Sequence, residues 1–254
     1  MPRRTRLATY SQPQPISPIE GDSLEQFMSL TNFDDSEVHP SDLLGDYKDY
    51  SKIYLSLEPE PSDFIRAFFS MPPISFLKIP EIQHLEDQGV YAIQYSGSLP
   101  LYEGVSTNQY PLYIGSASGK KGDSLTARLS QHYSSIDEVA KSQGIWSLSE
   151  FSFKVIPLKW MAKAVEDVLR ERFDPVWNGS GFGHRPGENH TRVGSEKKPQ
   201  MSKWDTLYEG RLSVEARAGM AARDKRKEEA KFRIRVRESQ KAFNSAKRRI
   251  GVTP

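Results

Sequence analysis

The hydrophobic pattern is densest in two short runs, Gly89–Ile93 and Pro111–Gly115, each with a tyrosine at its centre. Aromatic and β-branched residues favour strands, and the connection 96–109 is rich in Gly, Ser, Thr and Asn. The pattern therefore predicts an antiparallel hairpin with a long loop. In such a hairpin Tyr91 and Tyr113 lie close together on adjacent strands.

Helical and strand periods follow one another around this hairpin. The order predicts an α+β unit with a three-stranded, mostly antiparallel sheet flanked by helices. Either Asp123 or Ser124 is expected to cap the first helix after the hairpin. The elements predicted outside the hairpin are helices over Pro61–Phe69, Leu125–Tyr133, Ile136–Gln143 and Trp160–Phe173, and a strand over Phe151–Pro157.

The two ends of the chain have a different character. Residues 7–63 carry many prolines and acids without a sustained period, which predicts extended segments and one strand over Ile53–Leu57. Residues 214–250 have a helix-forming composition, but their apolar positions do not sustain a heptad. We therefore divide the chain into an N-terminal arm (1–85), a core (86–178), a loop region (179–212) and a basic C-terminal helix (213–254).

Charge is distributed unevenly over the 254 residues, although the net charge is only +2. Residues 1–60 hold five Lys and Arg against 11 Asp and Glu, whereas residues 212–254 hold 13 against five. A basic end suits a protein that follows DNA phosphates, and an acidic arm packed on a basic helix would give the same distribution. The C-terminal helix is thus predicted to lie on DNA or on a partner subunit, or to be a solvated appendage.

The composition also excludes several classes of protein. The chain has no cysteine, which excludes disulfides, thiolate zinc sites and a cysteine nucleophile. No apolar run approaches the length of a membrane span. We therefore expect a cytoplasmic protein of bacterial type that does not associate with membranes.

Four residues follow the tyrosine strands in a suggestive order. Arg128 and His132 lie one turn apart on a predicted helix, Glu166 lies in the middle of the next long helix, and Asn178 follows it. Together with the segments Gly89-Val90-Tyr91 and Tyr113-Ile114-Gly115, this set resembles the GIY-YIG nuclease family. The resemblance implies a DNA-cutting enzyme whose catalytic residues are Tyr91, Tyr113, Arg128, His132, Glu166 and Asn178.

Segments beyond this core resemble one branch of that family, the type II restriction endonucleases that cut GC-rich palindromes of the CCGCGG kind. The segments that carry this resemblance are Asp174–Asn178, Gly181–Gly183, Pro186-Gly187 and Ser202–Asp205. The resemblance implies that Tyr91 activates the water, that Tyr113 orients the nucleophile or the phosphate, and that Asn178 holds the site together.

The residue types suit phosphodiester hydrolysis. Glu166 is the natural ligand for one Mg²⁺, an ion that prefers oxygen and keeps several waters. Arg128 offers a permanently charged fork to the scissile phosphate. His132, expected to titrate near neutrality, can take a proton from Tyr91 or from water, because a tyrosine with a pKa of about 10 is a poor base at pH 7.

Each residue also has an ordinary structural explanation. The tyrosines could simply pack in the sheet, and Arg128 and His132 could form a solvated helix face. Glu166 could form an exposed ion pair with Arg170. Asn178 before a glycine is typical of a turn. The ordered combination of all these residue types is what favours a nuclease.

Basic residues near the hairpin and in the loop region are candidates for DNA contacts. Arginine and lysine read guanine in the major groove, which suits a G·C-rich target, and others hold phosphates. His184 and His190 lie in the same loop, and their wide spacing favours solvent exposure over a metal site. The predicted DNA-binding residues are Lys120, Lys121, Arg185, Arg192, Lys197, Lys198, Lys203 and Arg211.

We therefore expect a Mg²⁺-dependent type II restriction endonuclease that cuts double-stranded DNA. A palindromic target is most simply cut by a two-fold symmetric homodimer, with the N-terminal arm as a plausible interface element. Two alternatives remain open: a structure-specific repair or homing nuclease with the same core, and a non-catalytic DNA-binding protein.

Overall fold

The computed structural model describes residues 61–82, 85, 88–120, 122–158, 160–184 and 199–251. The strand predicted over Ile53–Leu57 lies outside these residues. The helices are α1 (Pro61–Ser70), α2 (Leu125–Gln143), α3 (Ala162–Phe173), α4 (Lys203–Leu207), α5 (Val214–Ala218) and α6 (Lys225–Arg249). The strands are β1 (Ile74–Ser75), β2 (Gln88–Tyr95), β3 (Thr107–Ser118) and β4 (Phe151–Pro157).

The strands form an antiparallel sheet in the order β1-β4-β2-β3. The predicted hairpin is confirmed, with Tyr91 opposite Gly115 and Tyr113 opposite Ile93. The predicted strand over Phe151–Pro157 is β4, which pairs with the other side of β2. The predicted α+β class is thus confirmed, and the sheet gains a fourth, two-residue strand, β1, at the edge of β4.

Helix α2 places two of the predicted catalytic residues beside the hairpin. It begins after Ser124, whose hydroxyl accepts a hydrogen bond from the Ala127 amide at 3.1 Å, so Ser124 is the cap. It ends at Gly144, which has the left-handed conformation, φ 62°. The two helices predicted over residues 125–143 are therefore one continuous helix.

Helix α3 supplies the predicted carboxylate. It begins two residues later than expected and ends at Asp174, immediately before Pro175. Its apolar stripe of Val165, Leu169 and Phe173 is fully buried against the sheet side of the molecule. Because Glu166 is adjacent to this stripe, its side chain is turned toward the interior.

The predicted C-terminal helix divides into α5 and α6. Gly219 ends α5, and the Asp224 side chain caps α6 by accepting from the Lys227 amide at 3.2 Å. Helix α6 buries Phe232, Val236 and Phe243 in the common core, so it is not a solvated appendage. None of the helices in the described residues is long and apolar enough to cross a membrane.

Candidate active site

The two predicted tyrosines meet over the backbone of Gly115. Their ring centroids are 6.1 Å apart. A Cβ atom at Gly115 would lie 2.5 Å from the Tyr91 hydroxyl oxygen and 2.9 Å from Cε1 of Tyr113. Position 115 therefore admits no side chain while both rings keep these places. The second tyrosine motif ends in glycine because its backbone supports the tyrosine pair.

His132 completes a buried cluster with the two phenols. Its Nε2 lies 2.7 Å from the Tyr91 hydroxyl, and its ring centroid is 5.0 Å from that of Tyr113. The imidazole is only 3% exposed and stacks on Phe182, with centroids 4.8 Å apart and an interplanar angle of 21°. Helix α2 and strands β2 and β3 thus bring together three of the predicted catalytic side chains.

The environment makes His132 a neutral imidazole. Burial, assisted by the positive charges of Arg128 and Arg211, lowers the pKa of His132 to about 3. The expectation that His132 titrates near neutrality is therefore wrong, because the sequence does not reveal how deeply the ring is buried. At neutral pH the imidazole is unprotonated, and in the tautomer that carries its proton on Nδ1 its Nε2 accepts a hydrogen bond from the Tyr91 hydroxyl.

Tyr91 needs the imidazole of His132 as an acceptor in order to lose its phenol proton. Burial raises the pKa of Tyr91 well above its ordinary value of 10, the neighbouring Tyr113 raises it further, and the Arg128 charge acts in the opposite direction. A phenol in such a place does not ionise by itself at neutral pH. Its hydrogen bond to a neutral imidazole is therefore the feature that gives it acid–base chemistry.

Arg128 is held beside the cluster by Asp123. Its Nε lies 2.5 Å from Oδ1 of Asp123, whose Oδ2 accepts a hydrogen bond from the Ser118 amide at 3.0 Å. The Arg128 side chain is 37% exposed, so it is neither buried nor simply a solvated surface group. Asp123, which is hydrogen-bonded to the end of β3, holds Nε of Arg128. The two terminal nitrogens of the guanidinium therefore remain suited to binding an anion from solvent.

Glu166 is buried at the edge of the same cluster. Its residue exposure is 8%, and the Ser116 hydroxyl donates to Oε2 at 2.6 Å. Arg170 donates to Oε1 at 3.1 Å, so the predicted ion pair forms, but around an inward carboxylate. Burial raises the pKa of Tyr113, and the negative charge of Glu166 raises it further.

The donor set suits a metal ion bound through one carboxylate. Among the described residues no three His, Asp or Glu side chains are grouped as in a protein-only metal cage. Mg²⁺ is commonly held by one or two carboxylates and its own waters. Lys163 lies 3.3 Å from Oε2 of Glu166, and its side chain is 66% exposed. The residues at Glu166 therefore fit a hydrated divalent ion, because this lysine can move into solvent.

Asn178 closes the outer edge of β3. Its Nδ2 donates to the Ile114 carbonyl at 2.7 Å, and its Oδ1 accepts from the Ile114 amide at 2.9 Å. The side chain thus imitates a neighbouring strand at the residue between Tyr113 and Gly115. A turn also begins here, since the Asn178 amide bonds to the Pro175 carbonyl at 3.2 Å. Both expectations for Asn178, the supporting role and the turn, agree with this geometry.

The predicted DNA-binding residues are placed in different ways. Lys120 after β3 and Lys203 at the start of α4 are exposed, as a DNA contact requires. Arg211 is 7% exposed and is occupied by hydrogen bonds within the protein, so it does not belong among the DNA contacts. Its burial could not be read from a glycine-rich, polar stretch. Lys121, Arg185, Arg192, Lys197 and Lys198 lie outside the described residues, as does His190.

Sequence reasoning missed three residues that touch the cluster. Ser116 and Lys163 contact Glu166, and Phe182 stacks on His132. A serine after a strand motif and a lysine three residues before Glu166 carry no distinctive signal. The glycines on either side of Phe182 are the one signal that could have found it, because glycine is common where the backbone approaches another group closely.

The chain was also compared with known protein families. The sequence model described as the Eco29kI GIY-YIG domain matches residues 83–239, which is more than half of the chain. The match includes both tyrosine strands, α2, α3 and most of α6. No curated protein matches the chain at a significant level.

Proposed function

Since the chain belongs to the Eco29kI family of GIY-YIG nucleases, a type II restriction endonuclease family, we propose that it makes Mg²⁺-dependent double-strand cuts at a short, GC-rich palindrome. The observation that carries this proposal is the hydrogen bond of 2.7 Å between Tyr91 and a neutral His132. It lies within a cluster that also holds Tyr113, Arg128 and an inward Glu166. A nuclease needs these groups together, whereas a DNA-binding scaffold does not.

In the proposed reaction a water attacks the phosphorus, the bond to the 3′ oxygen breaks, and the leaving 3′ oxygen takes a proton from solvent water. The Tyr91 hydroxyl accepts the proton of the water while passing its own proton to Nε2 of His132. Tyr113, whose ring packs against both groups, orients the water or the phosphate. Arg128 balances the negative charge that grows on the phosphoryl oxygens.

Glu166, oriented by Ser116, would hold the Mg²⁺. Nucleases of this family generally use a divalent metal. When bound, the ion supplies charge stabilisation for the phosphoryl and leaving oxygens. Burial and the Ser116 hydrogen bond fix the direction of the carboxylate before any ion arrives. Its neighbours Lys163 and Arg170 balance its charge in the absence of metal.

The target and the assembly follow from the proposed branch of the family. Exposed Lys120 and Lys203, with the basic residues of the loop region 185–198, would contact the DNA. A palindrome is cut on both strands most simply by a homodimer with one active site for each strand. Analytical ultracentrifugation of the protein with a palindromic duplex would show two chains for each duplex if this assembly is correct.

Incubating the protein with plasmid DNA and Mg²⁺ tests the proposal. We expect discrete fragments whose sequenced ends share one GC-rich palindrome. Glu166→Gln is the matched control, and we expect it to slow cutting by about 10²–10³-fold or more while duplex binding persists. Cutting restricted to branched DNA would favour a structure-specific nuclease. Binding without any cutting would favour a non-catalytic protein, and an active Glu166→Gln would remove the metal assignment.

A further inference from the structure

One turn of the chain outside the six catalytic residues touches both His132 and Tyr113. The turn is Gly181–His184, and its Phe182 ring stacks on the imidazole at 4.8 Å. The same ring meets Tyr113 edge-on, with centroids 5.1 Å apart. The plane of the imidazole therefore depends on where this turn is held.

The turn has little space in which to shift. Gly183 has a φ of 82°, and a Cβ there would lie 2.5 Å from the Tyr113 hydroxyl oxygen and 3.3 Å from Cε1 of His132. Gly181 has a φ of 100°, and a Cβ there would collide with the side chain of Ser202. The backbone of the turn is thus wedged between the catalytic cluster and the start of α4.

Arg211 fastens this turn from the opposite side. Its Nη1 donates to the His184 carbonyl at 2.9 Å and its Nη2 to the Gly181 carbonyl at 3.2 Å, so it grips both ends of the turn. Its Nε and Nη2 each lie 2.8 Å from an oxygen of Asp205. The two side chains are 2% and 1% exposed. A bidentate pair in such a buried place is geometrically rigid.

A second path joins Arg211 to the same ring. Its guanidinium carbon lies 4.9 Å from the centre of the Trp204 ring, which packs on Phe182 with centroids 5.1 Å apart. The Trp204 amide also donates to the Ser180 carbonyl, at 2.9 Å, just before the turn. Hydrogen bonds and aromatic packing thus both transmit the position of Arg211 to Phe182.

We propose that Arg211 is a positioning residue for the cleavage step, acting through the turn and Phe182 to fix the imidazole of His132. This inference rests on the proposed nuclease function and deepens it. Proton transfer needs Nε2 of His132 within hydrogen-bond distance of Tyr91, and small misplacements of catalytic groups are costly. Arg211 is buried within the protein, so it is expected to control the rate of cleavage rather than DNA affinity.

Two variants test the proposal. Arg211→Lys keeps the charge but cannot bind the carboxylate and both carbonyls at once. Phe182→Leu keeps an apolar side chain but removes the stacked ring, and it tests the same path should Arg211→Lys fail to fold. The control is Arg223→Lys, which alters an arginine whose side chain is 25% exposed and whose partners are the Met201 carbonyl and Glu228.

Three measurements separate positioning from folding. We expect the single-turnover cleavage rate of both variants with Mg²⁺ to fall by about 10- to 100-fold. Duplex affinity in EDTA should stay within about threefold of the parent protein, because no DNA contact is removed. Imidazole ¹⁵N spectra without DNA or metal should show the pKa of His132 rising toward its ordinary range as the ring becomes wetter. Arg223→Lys should change none of these readings.

Some results would overturn the proposal. A parent-like cleavage rate in either folded variant, an equal loss of rate in Arg223→Lys, or unchanged His132 spectra in both variants would each do so. The spectra require no cleavage, so they still decide the question if the parent protein cuts no DNA. In that case the nuclease proposal fails separately from the link between Arg211 and His132.

Discussion

At the scale of single residues, the site depends as much on an absent side chain as on those present. Both phenols lie over Gly115, where even a methyl group would come within 2.5 Å of the Tyr91 hydroxyl oxygen and 2.7 Å of its Cζ. The ring of Tyr113 is almost as close. Neither tyrosine can keep its place beside a larger residue.

Gly115→Ala should therefore slow cleavage by about 10- to 100-fold while the fold persists, because the added Cβ pushes the Tyr91 hydroxyl from Nε2 of His132. Single-turnover rates and thermal unfolding would be measured together. Gly219→Ala is the matched control, since a Cβ there meets nothing closer than 3.5 Å. Equal cleavage rates in both variants would contradict the role of Gly115.

The sequence predicted which residues come together at the candidate site but not their protonation states. The order of Tyr91, His132 and Glu166 along the chain follows a motif, and motifs record residue types. The lowered pKa of His132 arises from burial beneath Phe182, which is 50 residues away in the chain, and from Arg211, which is more distant still. Such long-range burial leaves no local pattern. Arg211 was predicted to contact DNA for the same reason, because its burial cannot be read from the local sequence.

At the scale of elements, the local sequence predicted where helices occur, but it did not predict that the two helices over residues 125–143 are one. The break expected between Tyr133 and Ile136 rests on two serines, which weaken a helix only slightly. In the structure Ser134 bonds back to the Ser130 carbonyl at 3.1 Å, and Ile136 and Val139 continue the buried face. Tertiary packing therefore overrides a weak local preference and joins the two predicted helices.

In helix α6 the structure has a regular buried stripe, whereas the sequence predicted no sustained apolar repeat. Its core-facing positions include Phe232, Val236, Ser239, Phe243 and Ala246, which are spaced three or four residues apart. Ser239 and Ala246 are small or polar, so the apolar repeat is interrupted at these two positions. Ser239 is fully buried because its hydroxyl bonds to Tyr110 and to the Asp174 carbonyl.

The outer face of α6 is strongly basic, and we predict that it contacts DNA phosphates. Arg233, Arg237 and Lys241 are exposed and lie four residues apart, so they form one stripe. If the stripe follows phosphates, changing all three to Gln should weaken binding and lower the slope of log K against log salt by about 0.9 for each lost contact.

Fluorescence anisotropy over a salt series would measure that slope. The deletion of the whole C-terminal segment is not a usable test, because α6 buries part of the core. The matched control removes two exposed charges from other elements, Lys78→Gln with Lys141→Gln. If the slope falls by the same amount for each removed charge in the triple variant and in the control, the stripe is not a DNA-binding surface.

At the scale of the whole molecule, residues assigned to the two ends pack on the catalytic core. Phe69 of α1 lies 5.7 Å from Phe173 of α3 and 5.5 Å from Phe243 of α6, measured between ring centroids. The predicted arm (1–85) thus includes a helix, α1, that belongs to the core, as does much of the predicted C-terminal helix. A sequence shows such contacts poorly, because they join residues more than 100 positions apart.

The stability of the whole molecule should depend on the same buried imidazole. The groups around His132 are Tyr91, Tyr113, Arg128 and Arg211, and burial with the two positive charges lowers its pKa from 6.5 to about 3. The unfolded chain therefore binds a proton below pH ~6.5 that the folded chain binds only near pH 3. Stability is fully present above pH ~6.5 and falls as the pH drops through that window.

Urea unfolding of the parent protein and of His132→Phe, at pH 7.5 and at pH 5.0, would measure the effect. The parent should lose about 2 kcal/mol more than the variant between these values, because each pH unit below the unfolded pKa is worth about 1.4 kcal/mol. Phenylalanine keeps the ring stacked on Phe182 without a titrating group, and all other ionisable groups are common to both proteins. Equal losses would mean that the His132 imidazole is already protonated, or hydrated, in the folded state. That outcome would also remove the neutral acceptor on which the proposed proton transfer from Tyr91 depends.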